Sequence, residues 1–264
     1  MKIVVEDPMD LELLGEEERL QLAEKAASDC SKFYGEKLKR FSISDSNTES
    51  STFTPNLESG KLVPAIQITR PGLLTYGLDK LGKKKRAKKI RYRYRRLITH
   101  ELAHIYHILF FNFCCPKWLD EGMAEYVAYE SRKSDGVMKT KKKRSIIWKR
   151  GEGLKTGRKF RIDRFHYYSQ WIRSADERHY AIAYENIYHM LNTKHASTKE
   201  RKKSAFKLMS DFAAEKSLIE FAEEYLEEHG LPDNMDEIMI AYEREHLAEK
   251  TPKEFEKTYS EILL

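Results

Sequence analysis

Apolar and polar residues follow one another along this chain with two different periods, and each change of period marks an element. Residues 2 to 6 (KIVVE) form a short β-like run. Between Glu16 and Tyr34, Leu20, Leu22, Ala23, Ala26, Ala27, Cys30 and Phe33 recur near the 3.6-residue period of an amphipathic helix. Residues 42 to 61 are a Ser/Thr/Asn-rich connection with room for one strand, and Val63 to Arg70 reads as a strand closed by the Pro71-Gly72 turn signal. The first 75 residues thus form a small α+β unit.

Beyond them the texture changes. No Gly or Pro occurs between Lys83 and Cys115, which predicts one long helix starting near Ala87 and stopped by Pro116. A second helix follows from about Lys117 to Ser131. Residues 132 to 164 are polar, basic and interrupted by Gly136, Gly151, Gly153 and Gly157, the pattern of a long loop or a pair of weak strands. The remainder reads as four or five helices, broken near Lys194, at Gly230 to Pro232 and at Thr251-Pro252. The expected organisation is an N-terminal α+β part (1–80), a helix pair (81–131), and a basic loop with a helical C-terminal subdomain (132–264).

Composition fits this outline. With 264 residues, 41% hydrophobic and 34% charged, the chain is neither collagenous nor of low complexity, and it can fill the core of one large domain or two small ones. The net charge of +6 conceals an asymmetry: residues 80–164 hold 26 Lys/Arg against 8 Asp/Glu, whereas residues 211–264 hold 5 against 16. The basic runs 80–96 and 139–150, with Tyr92 and Tyr94 interleaved in the first, make a candidate nucleic-acid surface through phosphate contacts and stacking. The same runs also suit a solvated helix face and a loop, or a basic rim that selects acidic peptides or docks the acidic tail.

Three cysteines, Cys30, Cys114 and Cys115, two of them adjacent, do not form a framework of structural disulfides and point to a reducing compartment. The longest apolar stretch, Leu102 to Cys115, contains two histidines and an asparagine and falls short of the roughly 20 residues a membrane span needs. With no signal peptide in MKIVVEDPMD, a cytoplasmic protein with no membrane partner is expected.

The chemistry concentrates in Thr99-His100-Glu101-Leu102-Ala103-His104. Positions four apart on a helix lie about 40° round from each other, so both imidazoles can face one ion with Glu101 beside it. Zinc sites of this type use two histidines and a glutamate that takes a proton from the water the metal activates. A chance pair of histidines on a half-buried helix would give the same five letters. The surrounding Leu97, Ile98, Thr99, Leu102, Ala103, Ile105 and Tyr106 are uncharged in a region otherwise dense with Lys and Arg, as a buried turn requires. Glu121, 17 positions after His104, supplies the carboxylate of a His₂Glu set, and Glu125 lies one turn further on the same face. Gly122 removes a side chain next to Glu121 and would let the His-bearing and Glu-bearing helices approach closely.

His100-Glu-Leu-Ala-His104 followed by Pro116-Lys-Trp-Leu-Asp-Glu-Gly-Met-Ala-Glu-Tyr126 resembles the gluzincin metallopeptidases, in particular peptidase MA-like domains whose second helix reads P-x-W-L-x-E-G-x-A. The resemblance is tight over Leu97 to Tyr126 and loose downstream. It implies one Zn²⁺ held by His100, His104 and Glu121, with Glu101 as general base and then acid, and Glu125 supporting a ligand histidine. It also implies an α+β, zincin-like fold, in which a small N-terminal sheet with the active-site helix joins a mainly helical C-terminal lobe, and a peptide or protein substrate. The helix His179 to Leu191 resembles the aminopeptidase branch of the superfamily and offers Tyr180, or Tyr184 in competition, as donor to the oxyanion. Both tyrosines also suit an amphipathic core, and His179 and His189 are outside candidates.

No G-x-M-E-N strand precedes His100, and Val63 to Arg70 could serve as the edge strand along which a peptide lies, so endopeptidase action is favoured over aminopeptidase action. The alternative function is a basic, nucleic-acid-associated binding protein with a non-catalytic or regulatory zinc. His107 reads as a core residue or a support to the ligands, and Cys114-Cys115 as buried small side chains.

Overall fold

A computed structural model describes residues 2–6, 14–46, 52–58, 61–69, 78, 80–112, 116–130, 170–171, 177–191, 197–230 and 235–247. The loop expected over 132–164 and the break at Thr251-Pro252 lie outside these residues. So do Cys114, Cys115 and the basic run 139–150. The elements are β1 (Lys2–Glu6), α1 (Glu16–Tyr34), β2 (Arg40–Ser46), β3 (Thr52–Glu58), β4 (Lys61–Thr69), α2 (Lys83–Phe111), α3 (Lys117–Glu130), α4 (Glu177–Leu191), α5 (Thr198–Asp211), α6 (Leu218–His229) and α7 (Met235–His246). The described chain is mostly helical with one small sheet, an α+β composition. Among these residues no helix is long and apolar enough to cross a membrane.

The chain divides into two compact units, Met1–Tyr106 with Val127–Ser131, and His107–Tyr126 with Arg132–Leu264; two of the three boundaries fall inside α2 and α3. In the first unit the sheet has the order β1-β2-β4-β3. Strands β1 and β2 are parallel, with α1 as the crossover between them, and β2 and β4 are parallel from Ser42↔Ala65 to Ser46↔Thr69. Strand β3 pairs antiparallel with β4 from Thr52↔Gln67 to Glu58↔Lys61.

Two expectations change here. The connection 42–61 holds the end of β2 and all of β3, not one strand. The strand expected at 63–70 is not an edge: β4 has β2 on one side and β3 on the other, so the edges are β1 and β3. Local sequence does not fix a strand's place in a sheet; its pairing partners do. Pro64 fits inside β4 because the β2 pairing begins only at Ala65, leaving Pro64 opposite Pro55 alone.

Phe41, Ile43, Ile66 and Ile68 are fully buried, and Ser42 and Ala65 nearly so, so the two central strands are covered on both faces. Helix α1 buries Ala23, Ala26, Ala27, Cys30 and Tyr34 and ends at Gly35, whose φ of 86° only glycine adopts without strain; its N–H bonds the Ser31 carbonyl at 2.8 Å.

Helix α2 runs 29 residues and begins earlier than expected, directly after Gly82, because the lysines there are good helix formers and the Gly82 carbonyl accepts from the Lys85 and Arg86 amides. It also stops earlier, at Asn112 with φ 44°, four residues before Pro116. In the second unit α5 and α6 start with capping boxes, Ser197/Glu200 and Ser217/Glu220, and Phe221 packs edge-on against Tyr242 with ring centroids 5.4 Å apart.

Candidate metal centre

Burial along α2 follows the charge pattern. Residues 83–85, 88, 89 and 91 are exposed, whereas every residue from Ile98 to His107 is buried. His100, Glu101 and His104 are 8%, 4% and 7% exposed, and Glu121 and Glu125 on α3 are both 5% exposed. Five ionisable groups kept from water on two helices are costly unless they find partners or an ion.

Three of them converge. His100, His104 and Glu121 each offer a ligand atom, and these atoms lie within 4.8 Å of one another. The Nε2 atoms of His100 and His104 are 3.2 Å apart with the rings nearly perpendicular. A tetrahedral ion with 2.0–2.1 Å bonds has a donor-to-donor edge of about 3.3 Å, so two nitrogens and a carboxylate at this spacing fit a metal ion.

A second group went unforeseen. His104, His107 and Asp120 also bring ligand atoms within 4.8 Å. Nδ1 of His107, which is 1% exposed, lies 2.7 Å from Oδ1 of Asp120, while Lys117 Nζ is 2.6 Å from Oδ2 of Asp120 and 3.0 Å from Oε1 of Glu121. The sequence signal for it was the i, i+3 spacing of His104 and His107 on one helix face.

The His-bearing turn is tied to α1. Arg95, buried, pairs with Asp29, also buried; the Thr99 hydroxyl donates to the Arg95 carbonyl at 2.8 Å; and the Cys30 thiol lies 3.6 Å from the Thr99 carbonyl. Burial, and secondarily the Asp29 carboxylate, pushes the Cys30 thiol well up, keeping it neutral. Tyr106 stacks on Tyr34 and donates to the Glu36 carbonyl at 3.0 Å; burial pushes its phenol up to about 12.

Gly122 serves a different neighbour from the one expected. A Cβ there would meet the Ala183 carbonyl oxygen at 2.6 Å and Ile187 Cγ1 at 2.7 Å, so the helix admitted is α4. Helix α4 carries both candidate tyrosines: Tyr184, 2% exposed, stacks on Tyr126 with centroids 6.4 Å apart, and Tyr180, half-buried, meets Trp171 edge-on at 5.0 Å.

The nucleic-acid surface loses part of its basis. Tyr94 is fully buried and offers no face for a base, Arg95 is bound to Asp29, and Arg96 lies over the Tyr129 ring at 4.7 Å.

The family described as BSP, peptidase of plants and bacteria, matches residues 73–156, the stretch that contains both α2 and α3. This region is a peptidase-like domain. The similarity points to a hydrolase acting on a peptide or protein, and the buried His/Glu/Asp groups in and beside this stretch are able to hold a metal ion. Among curated proteins none matches the chain.

Proposed function

We propose that the protein is a zinc-dependent metallopeptidase of the gluzincin type with a zincin-like fold. One observation carries the reading: three buried ligand atoms of the His₂Glu kind converge inside the stretch matched by a peptidase family. Held by His100, His104 and Glu121, one zinc per chain would supply Lewis acidity toward water and the scissile carbonyl. Glu101 takes the proton from the attacking water and delivers it to the leaving amine. Glu125, one turn beyond Glu121, accepts the second N–H of a ligand histidine and fixes its tautomer.

The oxyanion donor comes from α4. The close approach at Gly122 supports this, since it seats α4 against the helix bearing Glu121, with Tyr180 or Tyr184 as the donor. Endopeptidase action remains the favoured form because no G-x-M-E-N strand precedes His100 to bind a free amine. With β4 internal, an extended peptide would add to an edge strand, β1 or β3. The cysteine set favours a reducing compartment, and we assign the protein to the cytoplasm.

The decisive experiment is Glu101→Gln with an unbiased peptide library as substrate. Hydrolysis should fall by roughly 10²–10⁴-fold, the usual worth of a general base, while bound zinc stays near one per chain. Cleavage surviving within a few-fold would sink the mechanism. The wild-type cleavage map from the same library distinguishes internal from terminal cutting.

A further inference from the structure

Lys117 opens α3 with its ammonium against two carboxylates at once, 2.6 Å from Asp120 and 3.0 Å from Glu121. A cation in the first turn of a helix works against the helix dipole, so helix stability does not account for it there. Two adjacent carboxylates, Glu121 5% exposed and Asp120 at 17%, do account for it, because buried or half-buried charges require a counter-charge. Asp120 is held from its other side: Oδ1 lies 2.7 Å from the buried His107 Nδ1, which leaves Oδ2 facing Lys117. A lysine is a compact point charge on a flexible stem, able to swing between neighbouring acceptors where an arginine fork would lock onto one.

We propose that Lys117 is an internal competitor of the metal for Glu121. The ammonium and a metal ion both draw on the Glu121 carboxylate, so metal binding shifts Lys117 wholly onto Asp120, which His107 keeps in place to receive it. Lys117 thereby sets how tightly the centre holds its metal and stabilises the two carboxylates when no metal neutralises them. Lys117 is a positioning residue, acting through Glu121. The inference rests on the reading above in taking Glu121 as a ligand.

The test uses the full chain, chelator-stripped and zinc-loaded, as wild type, Lys117→Met and Lys117→Arg. Zinc affinity is measured by competition with a chromophoric chelator, and stability by thermal unfolding. Removing a positive charge within 3–4 Å of a ligand carboxylate should tighten zinc binding on the order of ten-fold. Lys117→Met should lower the Tm of the stripped protein by roughly 2–4 °C and leave the loaded Tm nearly unchanged. Lys117→Arg should keep the wild-type pattern in the stripped protein.

A lysine with a merely structural role would lower both Tm values equally and leave affinity alone, and that result overturns the proposal. Should Lys117→Met fail to fold, Asp120→Asn removes the receiving carboxylate and should weaken zinc binding; unaltered affinity there overturns it as well. Wild-type protein that binds no zinc defeats the metallopeptidase reading, and this one with it. Wild-type binding with unaltered variants defeats this one alone.

Discussion

The two halves of α2 live in different solvents. Its first half, from Lys83 to Arg93, carries most of the basic run in water, while the turns from Ile98 to His107 are buried and hold two histidines and a glutamate. The contrast extends to the ion pairs that bind α2 to α1. Arg91 and Glu18 are 46% and 33% exposed, whereas Arg95 and Asp29, one turn closer to His100, are 6% and 9% exposed. The difference teaches where a charge matters. In the exposed half the lysines are solvated on the helix surface. In the buried half His107 is held by Asp120, and Arg95-Asp29 anchors the turn that presents the histidines.

The largest effect should come from breaking the buried pair. Asp29→Ala removes the carboxylate that the buried Arg95 charge pairs with and should cost about 3–5 kcal/mol in denaturant unfolding, whereas Asp29→Leu combined with Arg95→Met should be near neutral. A single-variant cost below about 1 kcal/mol would erase the distinction between the two halves.

Gly122→Ala comes next. The new methyl would meet the Ala183 backbone oxygen at 2.6 Å, a neighbour that cannot rotate away, so overpacking should cost about 1–3 kcal/mol in thermal unfolding. A stable Gly122→Ala protein would mean that α4 does not seat on α3 as described.

Alkali sharpens the comparison further. The Tyr106 phenol is pushed up to about 12 by burial, against about 10 in an unfolded chain. Its stabilisation is therefore complete below about pH 10 and is lost as pH rises through about 12. The buried Cys30 thiol, also raised, acts in the same direction. The fall in Tm from pH 9 to pH 11 should be shallower in Tyr106→Phe than in wild type, and equal slopes would refute the assignment. Smallest of all is Glu18→Gln, worth less than about 1 kcal/mol at low salt and nothing measurable at high salt.

Much of this was legible in the chain. The periodicity of 16–34 and the run from Lys117 gave α1 and α3 nearly to the residue, because apolar spacing and the break at Pro116 are local. The uncharged letters around His100 announced its burial. Capping boxes at Ser197 and Ser217 were equally local, and their S-x-x-E spelling passes easily for ordinary polar sequence. What escaped was long-range or depended on partners: Asp29 bound to Arg95, Asp120 between His107 and Lys117, and α4 as the neighbour of Gly122.

The sequence by itself determined roughly where α1, α2 and α3 lie and that His100 and His104 share a helix face, since a helix brings i and i+4 to one face wherever it sits. Only the tertiary structure decided that β4 is internal, that Tyr94 faces the core rather than solvent, and that Lys117 reaches Glu121. Those outcomes depend on which surfaces meet and exclude water, and no local period encodes the identity of a distant partner.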